Sequence, residues 1–300
     1  MVFERPGHRG RQRKRPMHLT PLGVLAGMPT SGQGSSGYLV QGPNTTILLD
    51  AGPGTALTVS RYLDSRPLDA VFISHQHSDH IYDLLPLGKM LLAKRLRRDV
   101  SSGELSINDD VAAVPLFVPR GALEPLRTLA ALFPVTTHPL LDRAFDLAFD
   151  VHEYEPGETH TIGSAALRFE LLRHVSPNCG IRIDDAGDSL VYSGDTGVTD
   201  ALPALAEGAG TLLCESTLRE TDRSGHGHLT AQEAATAARE AGVAELVLTH
   251  FASTDPLDHA WHRERAAAIF SGPVSIAQPN IPLTVAAATT APDSTRKVSA

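Results

Sequence analysis

Short apolar runs alternate with turn-rich polar stretches along the chain, and most of the runs have the length of strands. Such runs occupy 19–25, 38–40, 46–50, 70–74, 116–118 and 145–154. They return at 165–172, 181–184, 189–193, 211–215, 244–249 and 274–277. Helical spacing predicts helices over 55–63, 81–96, 122–133, 202–207, 230–241 and 258–270. The helix at 230 carries complete end signals: Thr230 as N-cap, Glu233 three residues on, and Gly242 past the last turn. Asp-Asp-Ala-Gly-Asp at 184–188 reads as a hairpin turn. Hairpins early in the chain and strand–helix alternation at its end predict an α/β domain made of two β-rich halves, each flanked by helices. No repeat or interdomain linker interrupts it. The predicted domain spans 17–287, between disordered tails at 1–16 and 288–300.

Composition sharpens this picture. A chain of 300 residues that is 42% hydrophobic can bury a sizeable core, which excludes disorder for its bulk. No run approaches about 18 apolar residues, so no membrane helix and no membrane partner are expected. Two cysteines, Cys179 and Cys214, with no C-x-x-C give neither a disulfide framework nor a thiolate metal site. A reducing, cytoplasmic location follows as the expectation, with both thiols read as packing groups. The net charge of −8 is uneven: residues 1–16 hold six Lys/Arg against one acid, net +5, which leaves −13 on the remainder. A body that acidic is a poor surface for a large nucleic acid. The basic tail reads as a solvated segment or a polyanion contact. No A-x-A pattern follows it, so it is not read as a signal peptide.

Gly32-Gln33-Gly34-Ser35-Ser36-Gly37 matches G-x-G-x-x-G, but Tyr38-Leu39-Val40 and a Gly42-Pro43-Asn44 turn follow where a dinucleotide site needs a helix. The segment is read as a loop between strands. P-loop and G-x-S-x-G motifs are missing from the sequence.

The chemistry is carried elsewhere. The apolar run Val71-Phe72-Ile73-Ser74 feeds directly into His75-Gln76-His77-Ser78-Asp79-His80. Four imidazole or carboxylate donors thus fall within six residues at a strand end, and these are the donors zinc takes in catalytic sites. His75 and His77 can point to one ion, and Asp79 and His80 to a second. Three further donors also follow apolar runs: His174, Asp195 in Ser-Gly-Asp-Thr-Gly, and His250 in Leu-Thr-His-Phe. His138, His152, His160, His259 and His262 have no motif around them and are read as surface or capping residues, and His226 as loop.

This set resembles the metallo-β-lactamase-fold hydrolases, and within them the RNase Z-like phosphodiesterase branch. The motifs that carry the likeness are Ser-His-Gln-His-Ser-Asp-His, His174, Ser-Gly-Asp-Thr-Gly, Cys-Glu-Ser-Thr at 214–217, Gly-His-Leu-Thr at 227–230 and Leu-Thr-His-Phe. The resemblance implies a four-layer αββα sandwich with the site at one edge of its two sheets. It implies two Zn²⁺ per chain, with Mn²⁺ as an alternative: His75, His77 and His174 on one, Asp79, His80 and His250 on the other, and Asp195 bridging. Such a pair, about 3.5–4 Å apart, activates a bridging water for in-line attack. Asp79 would also orient the hydroxide. His228 would protonate the leaving oxygen, held by Glu215. Asp50, in Leu-Leu-Asp-Ala-Gly-Pro-Gly-Thr, would orient the ligands or serve only as a turn acid.

Several substrates fit that resemblance. The stretch between His174 and Asp195 is too short for the flexible arm by which tRNA-processing members grip RNA. A small phosphodiester is therefore expected, especially a 3′,5′-cyclic nucleotide. The Glu215/His228 pair and the basic tail keep tRNA 3′-end processing as the alternative, and a carbonyl hydrolase of lactones, thioesters or β-lactams comes third. Lys94, Arg95, Arg97 and Arg98 form a basic patch, read as a solvated helix end or a phosphate contact. The resemblance also admits a homodimer.

Overall fold

The computed structural model describes residues 15–289. The first half contains β1 (His18–Gly23), β2 (Gly37–Gln41), β3 (Thr46–Leu49), α1 (Thr55–Val59), β4 (Ala70–Phe72), α2 (Ser78–Ile81) and α3 (Leu84–Arg95). It continues with β5 (Leu96–Arg98), β6 (Leu105–Ile107), β7 (Val114–Pro119), α4 (Leu123–Ala131), α5 (Pro139–Asp142), α6 (Ala144–Ala148) and β8 (Phe149–Tyr154). The second half contains β9 (Thr159–Ile162), β10 (Ala165–Leu172), β11 (Asn178–Asp185), β12 (Asp188–Tyr192), α7 (Ala201–Ala206) and β13 (Thr211–Glu215). It ends with α8 (Ala231–Ala241), β14 (Glu245–Thr249), α9 (Pro256–Ala267), β15 (Val274–Ile276) and β16 (Leu283–Thr284). One sheet runs β16-β1-β2-β3-β4-β7-β8, the other β15-β14-β13-β12-β11-β10-β9, and β5-β6 is a small separate hairpin.

The central strands β2, β3, β4, β12, β13 and β14 read as continuous apolar runs because both of their faces are covered, while β8, β9 and β10 keep exposed residues. Alternate residues go to opposite layers. Tyr38, Val40, Ile47, Leu49 and Phe72 face the other sheet, against Phe169, Ile181, Tyr192 and Val247. Their neighbours Leu39, Leu48 and Val71 face outward onto Leu84, Leu87 and Leu91 of α3. On the far side, Leu212, Leu246 and Leu248 pack against Ala234, Ala235 and Ala238 of α8. The result is the expected αββα sandwich. Helix α8 carries its capping box, with Thr230 Oγ1 accepting from the Glu233 amide and Glu233 accepting from the Thr230 amide. Gly242 closes it at φ 64°.

Several boundaries differ from the sequence expectation. The helix expected over 81–96 begins earlier, as α2, and restarts after Asp83. That carboxylate is engaged with the amides of Gly54 and Ala56 at the start of α1, at 2.9 and 2.8 Å. The run at 145–154 is split, because Phe145 and Ala148 bury from a short helix before β8 begins. The basic patch is spent locally. Lys94 donates to Leu63 O, Arg95 to Val111 O, and Arg97 pairs with Asp110. Gly32–Gly37 lies between β1 and β2, with no helix behind it.

Most of both expected tails lies outside the described residues. Within them, Ala288 and Thr289 still donate backbone hydrogen bonds to Gly187 and Gly208. No helix among the described residues is long and apolar enough to cross a membrane. Cys179 and Cys214 are free and buried.

Candidate metal centre

Strand direction explains why distant residues meet. β3 and β4 run parallel, as do β12, β13 and β14. β10 is antiparallel to β11, which is antiparallel to β12, so β10 shares their direction. Asp50, His75, His174, Asp195 and His250 follow the C-terminal ends of these strands, Glu215 is the last residue of β13, and all six collect at one edge. Asp50 and His250 take φ of +56° and +58°, a left-handed backbone rare for non-glycine residues, which turns each chain sharply back over the edge.

Two donor groups form there. His75, His77, His174 and Asp195 make one; Asp79, His80, Asp195 and His250 make the other. Within each, the donor atoms lie within 4.8 Å of one another. Asp195 belongs to both, through different oxygens. Its Oδ2 is 3.6 Å from His75 Nε2, and its Oδ1 is 3.3 Å from both His80 Nε2 and His250 Nε2. Asp79 Oδ2 lies 3.5 Å from His80 Nε2 and 3.4 Å from His250 Nε2. His174 Nε2 approaches His77 Nδ1 at 3.2 Å. All seven sequence-predicted ligands are thus brought together.

The residues fit divalent cations on independent grounds. His75 Nε2, His80 Nε2 and Asp195 Oδ1 are buried with no hydrogen-bond partner. Buried polar atoms are normally satisfied, and these three converge on one small volume. Burial, with His80 beside it, pushes His75 well below the usual histidine range. Burial also lowers His77 and His174. Neutral imidazole is the form that binds metal, and these three favour it, whereas at His80 burial is outweighed by the Asp195 and Asp50 carboxylates, which raise it well above the usual range. Burial opposes the Asp195 carboxylate, but His250 and His80 outweigh it and hold the acid well below its ordinary range.

Outer partners set the orientation of these imidazoles. Asp50, fully buried, accepts from His80 Nδ1 at 2.7 Å and also from Ser74 N, Ser74 Oγ and the Tyr192 hydroxyl. His75 Nδ1 in turn meets Ser74 Oγ at 3.1 Å. His174 Nδ1 donates to Gly227 O at 2.9 Å. His250 Nδ1 meets Thr217 Oγ1 at 2.9 Å, and that hydroxyl donates to Glu215 Oε2 at 2.8 Å. Each of these four rings thereby presents Nε2 to the centre. Asp50 is an orienting residue here, not a bare turn acid.

Glu215 and His228 do meet: Glu215 Oε1 is 2.9 Å from His228 Nδ1. The Glu215 side chain is sealed at 0% exposure, while His228 reaches solvent at 14%. The same carboxylate also accepts from Thr196 N and Leu229 N, which ties the loops after β12 and β13 together. Burial works against a charged His228, but the Glu215 hydrogen bond and charge prevail and push its pKa up to about 9.

Sequence reasoning missed four contributors. Tyr192 was legible only as a strand residue and Thr217 only as part of the Cys-Glu-Ser-Thr motif, and the Gly227 carbonyl leaves no sequence signal. His226, read as loop, lies with its ring 5.2 Å from that of His174 and 5.0 Å from that of His228. His262 is a correction: it is 1% exposed, bonded to Ser216 Oγ at 2.8 Å, and neither surface nor cap.

The model of the β-lactamase superfamily domain matches residues 45–251, which include every donor above. The chain belongs to the β-lactamase superfamily. Within this superfamily it is a metallo-β-lactamase-fold hydrolase of the RNase Z-like branch. It is 28% identical over 263 residues to the probable metallo-hydrolase YhfI of Bacillus subtilis, covering 87% of this chain and 97% of that one. The crystal structure of YhfI superposes with a TM-score of 0.73 at 26% identity, over 90% of this chain and 99% of that one. An uncharacterized protein of Mycobacterium leprae is 34% identical over 86% of this chain and 85% of its own length. Ribonuclease Z of Streptomyces coelicolor is 28% identical over 87% of this chain and 95% of its own length.

Proposed function

We propose that this chain is a two-metal phosphodiesterase, with Zn²⁺ as the resident ion and Mn²⁺ as a substitute, acting on a small or cyclic nucleotide of the 3′,5′-cyclic AMP type. The observation that carries the reading is the Glu215–His228 pair beside the two donor groups. His75, His77 and His174 would hold one ion, Asp79, His80 and His250 the other, with Asp195 shared. Bound there, the ions supply Lewis acidity and neutralise charge on the phosphoryl oxygens.

The protein's own groups do the rest. Asp79 accepts from the Gly27 amide through Oδ2 at 2.8 Å, so its carboxylate is fixed where it can orient an attacking water. Glu215 engages Nδ1 of His228 and keeps the ring protonated, so Nε2 is the nitrogen that delivers a proton to the leaving oxygen. Thr217 links the same Glu215 to His250, so one buried acid positions both a donor ligand and the proton source.

The connection between His174 and Asp195 supports a small substrate. It is filled by the antiparallel pair β11 and β12, joined by a two-residue turn, and it projects no arm to grip a folded RNA. A second reading, tRNA 3′-end processing, draws on the likeness to ribonuclease Z. Carbonyl hydrolysis of a lactone, thioester or β-lactam ranks third. Zn²⁺- or Mn²⁺-loaded protein incubated separately with 3′,5′-cyclic AMP and with 3′-extended precursor tRNA decides between the first two. Release of 5′-AMP, lost in Asp195→Ala, supports the small substrate. Trimming of the tRNA with cyclic AMP left intact supports the second.

A further inference from the structure

His226 is held against the donor cluster by its main chain. Val175 N–H donates to His226 O at 2.8 Å. The next carbonyl, that of Gly227, accepts from His174 Nδ1. Gly227 N–H donates to Asp222 Oδ2 at 2.8 Å, and Asp222 also accepts from the amide and hydroxyl of Ser224. Gly227 sits at φ +91°, and a Cβ there would lie 2.6 Å from Arg173 O. Only glycine lets the loop close this tightly onto the strand end. The turn built by Asp222 and Gly227 therefore sets two things, the Gly227 carbonyl that orients His174 and the place of His226 beside it.

The ring so placed is unspent. It stacks on His77 at 6.1 Å and stands edge-on to His174 at 5.2 Å. It is exposed, and neither of its nitrogens has a hydrogen-bond partner among the described residues. Its neighbours are committed: His174 through Nδ1 to Gly227, and His228 through Nδ1 to Glu215. An imidazole always carries at least one N–H. The ring that carries this N–H is exposed and stands beside His77, His174 and His228 at the donor cluster.

We propose that His226 is a substrate-binding residue that donates a hydrogen bond to a non-bridging oxygen of the phosphate group held over the donor cluster. This rests on the phosphodiesterase reading for the group to which that phosphate belongs. It adds a contact on the side of His77 and His174.

The test is titration of inorganic phosphate into zinc-loaded protein by calorimetry, alongside metal content, melting temperature and phosphodiester kinetics. A hydrogen bond to a charged group is worth roughly 1.5–3 kcal/mol, so His226→Ala is expected to weaken phosphate binding about tenfold or more. KM rises and kcat changes little. His226→Gln, which keeps a side-chain N–H, recovers part of the affinity. Metal content and melting temperature stay at wild-type values. Unchanged phosphate affinity in His226→Ala overturns the proposal, as does a wild-type protein that binds no phosphate. Loss of metal or of folding in His226→Ala with no recovery in His226→Gln also overturns it, since that marks a structural role. His226-dependent phosphate binding in a protein that cleaves no phosphodiester would instead sink the activity reading and leave this contact standing.

Discussion

Nδ1 of His80 lies 2.7 Å from Oδ2 of Asp50, and both side chains are fully buried. The pair fixes which nitrogen of His80 faces the donor cluster. Asp50 extends the same control to His75 through Ser74. Removing the carboxylate frees two ligands at once. Asp50→Ala is expected to lower metal affinity by about 10–100-fold, the usual effect of losing such a partner. It also strands the Tyr192 hydroxyl. Metal retained after dialysis against a graded chelator series measures the loss, and wild-type retention would contradict the role given to Asp50.

His228 is expected to act through its proton. His228→Ala should lower kcat by roughly 10²–10⁴-fold, the range of general acid catalysis, and leave the metal content unchanged. The loss should be small for an aryl phosphodiester whose leaving group needs no proton, and large for an alkyl one. Equal losses on the two substrates would assign His228 a role other than proton donation.

Gly52 in Asp-Ala-Gly-Pro-Gly-Thr abuts the metal-binding loop. A Cβ there would lie 1.9 Å from the Asp79 carbonyl oxygen and 2.9 Å from that of Ser36. Both neighbours are backbone, so neither can swing aside. Gly52→Ala is expected to cost about 1–3 kcal/mol of stability and to displace Asp79, so that metal content falls together with melting temperature. A variant that melts and binds metal like the wild type would show that the loop has slack.

His262 gives an acid-side stability signature. Burial lowers its pKa, and Arg219 and His259 push the same way, while Asp258 opposes them. Its folded pKa lies below the unfolded value of about 6.5, so the unfolded chain takes the proton first. The stability it contributes is complete above that value and is lost as the pH falls below it. The melting temperature of wild type should therefore drop more steeply on acidification below about pH 6.5 than that of His262→Gln. Parallel slopes would remove His262 from the account.

Much of this was legible in the sequence. The β4 run leading into His75-Gln76-His77-Ser78-Asp79-His80 announces its donors, because a strand must end before its loop can gather ligands. The α8 capping box was equally plain. What was lost is physically of another kind. Helices α5 and α6 are too short to show a helical period, and β9 and β16 are short edge strands that pair on one side only. The Gly227 carbonyl has no side chain to read. His226 and His262 have no motif around them, and only the fold decides that one faces the site and the other the core.

The central claim is that the shared Asp195 site holds two ions and cleaves a phosphodiester. The most direct measurement is hydrolysis of 3′,5′-cyclic AMP by metal-free protein as Zn²⁺ is added in stoichiometric steps, with bound metal counted in parallel. 5′-AMP release is expected to climb to a plateau at two equivalents, to vanish with chelator, and to be lost in Asp195→Ala. A protein that demonstrably binds two equivalents and leaves cyclic AMP and other phosphodiesters intact would contradict it.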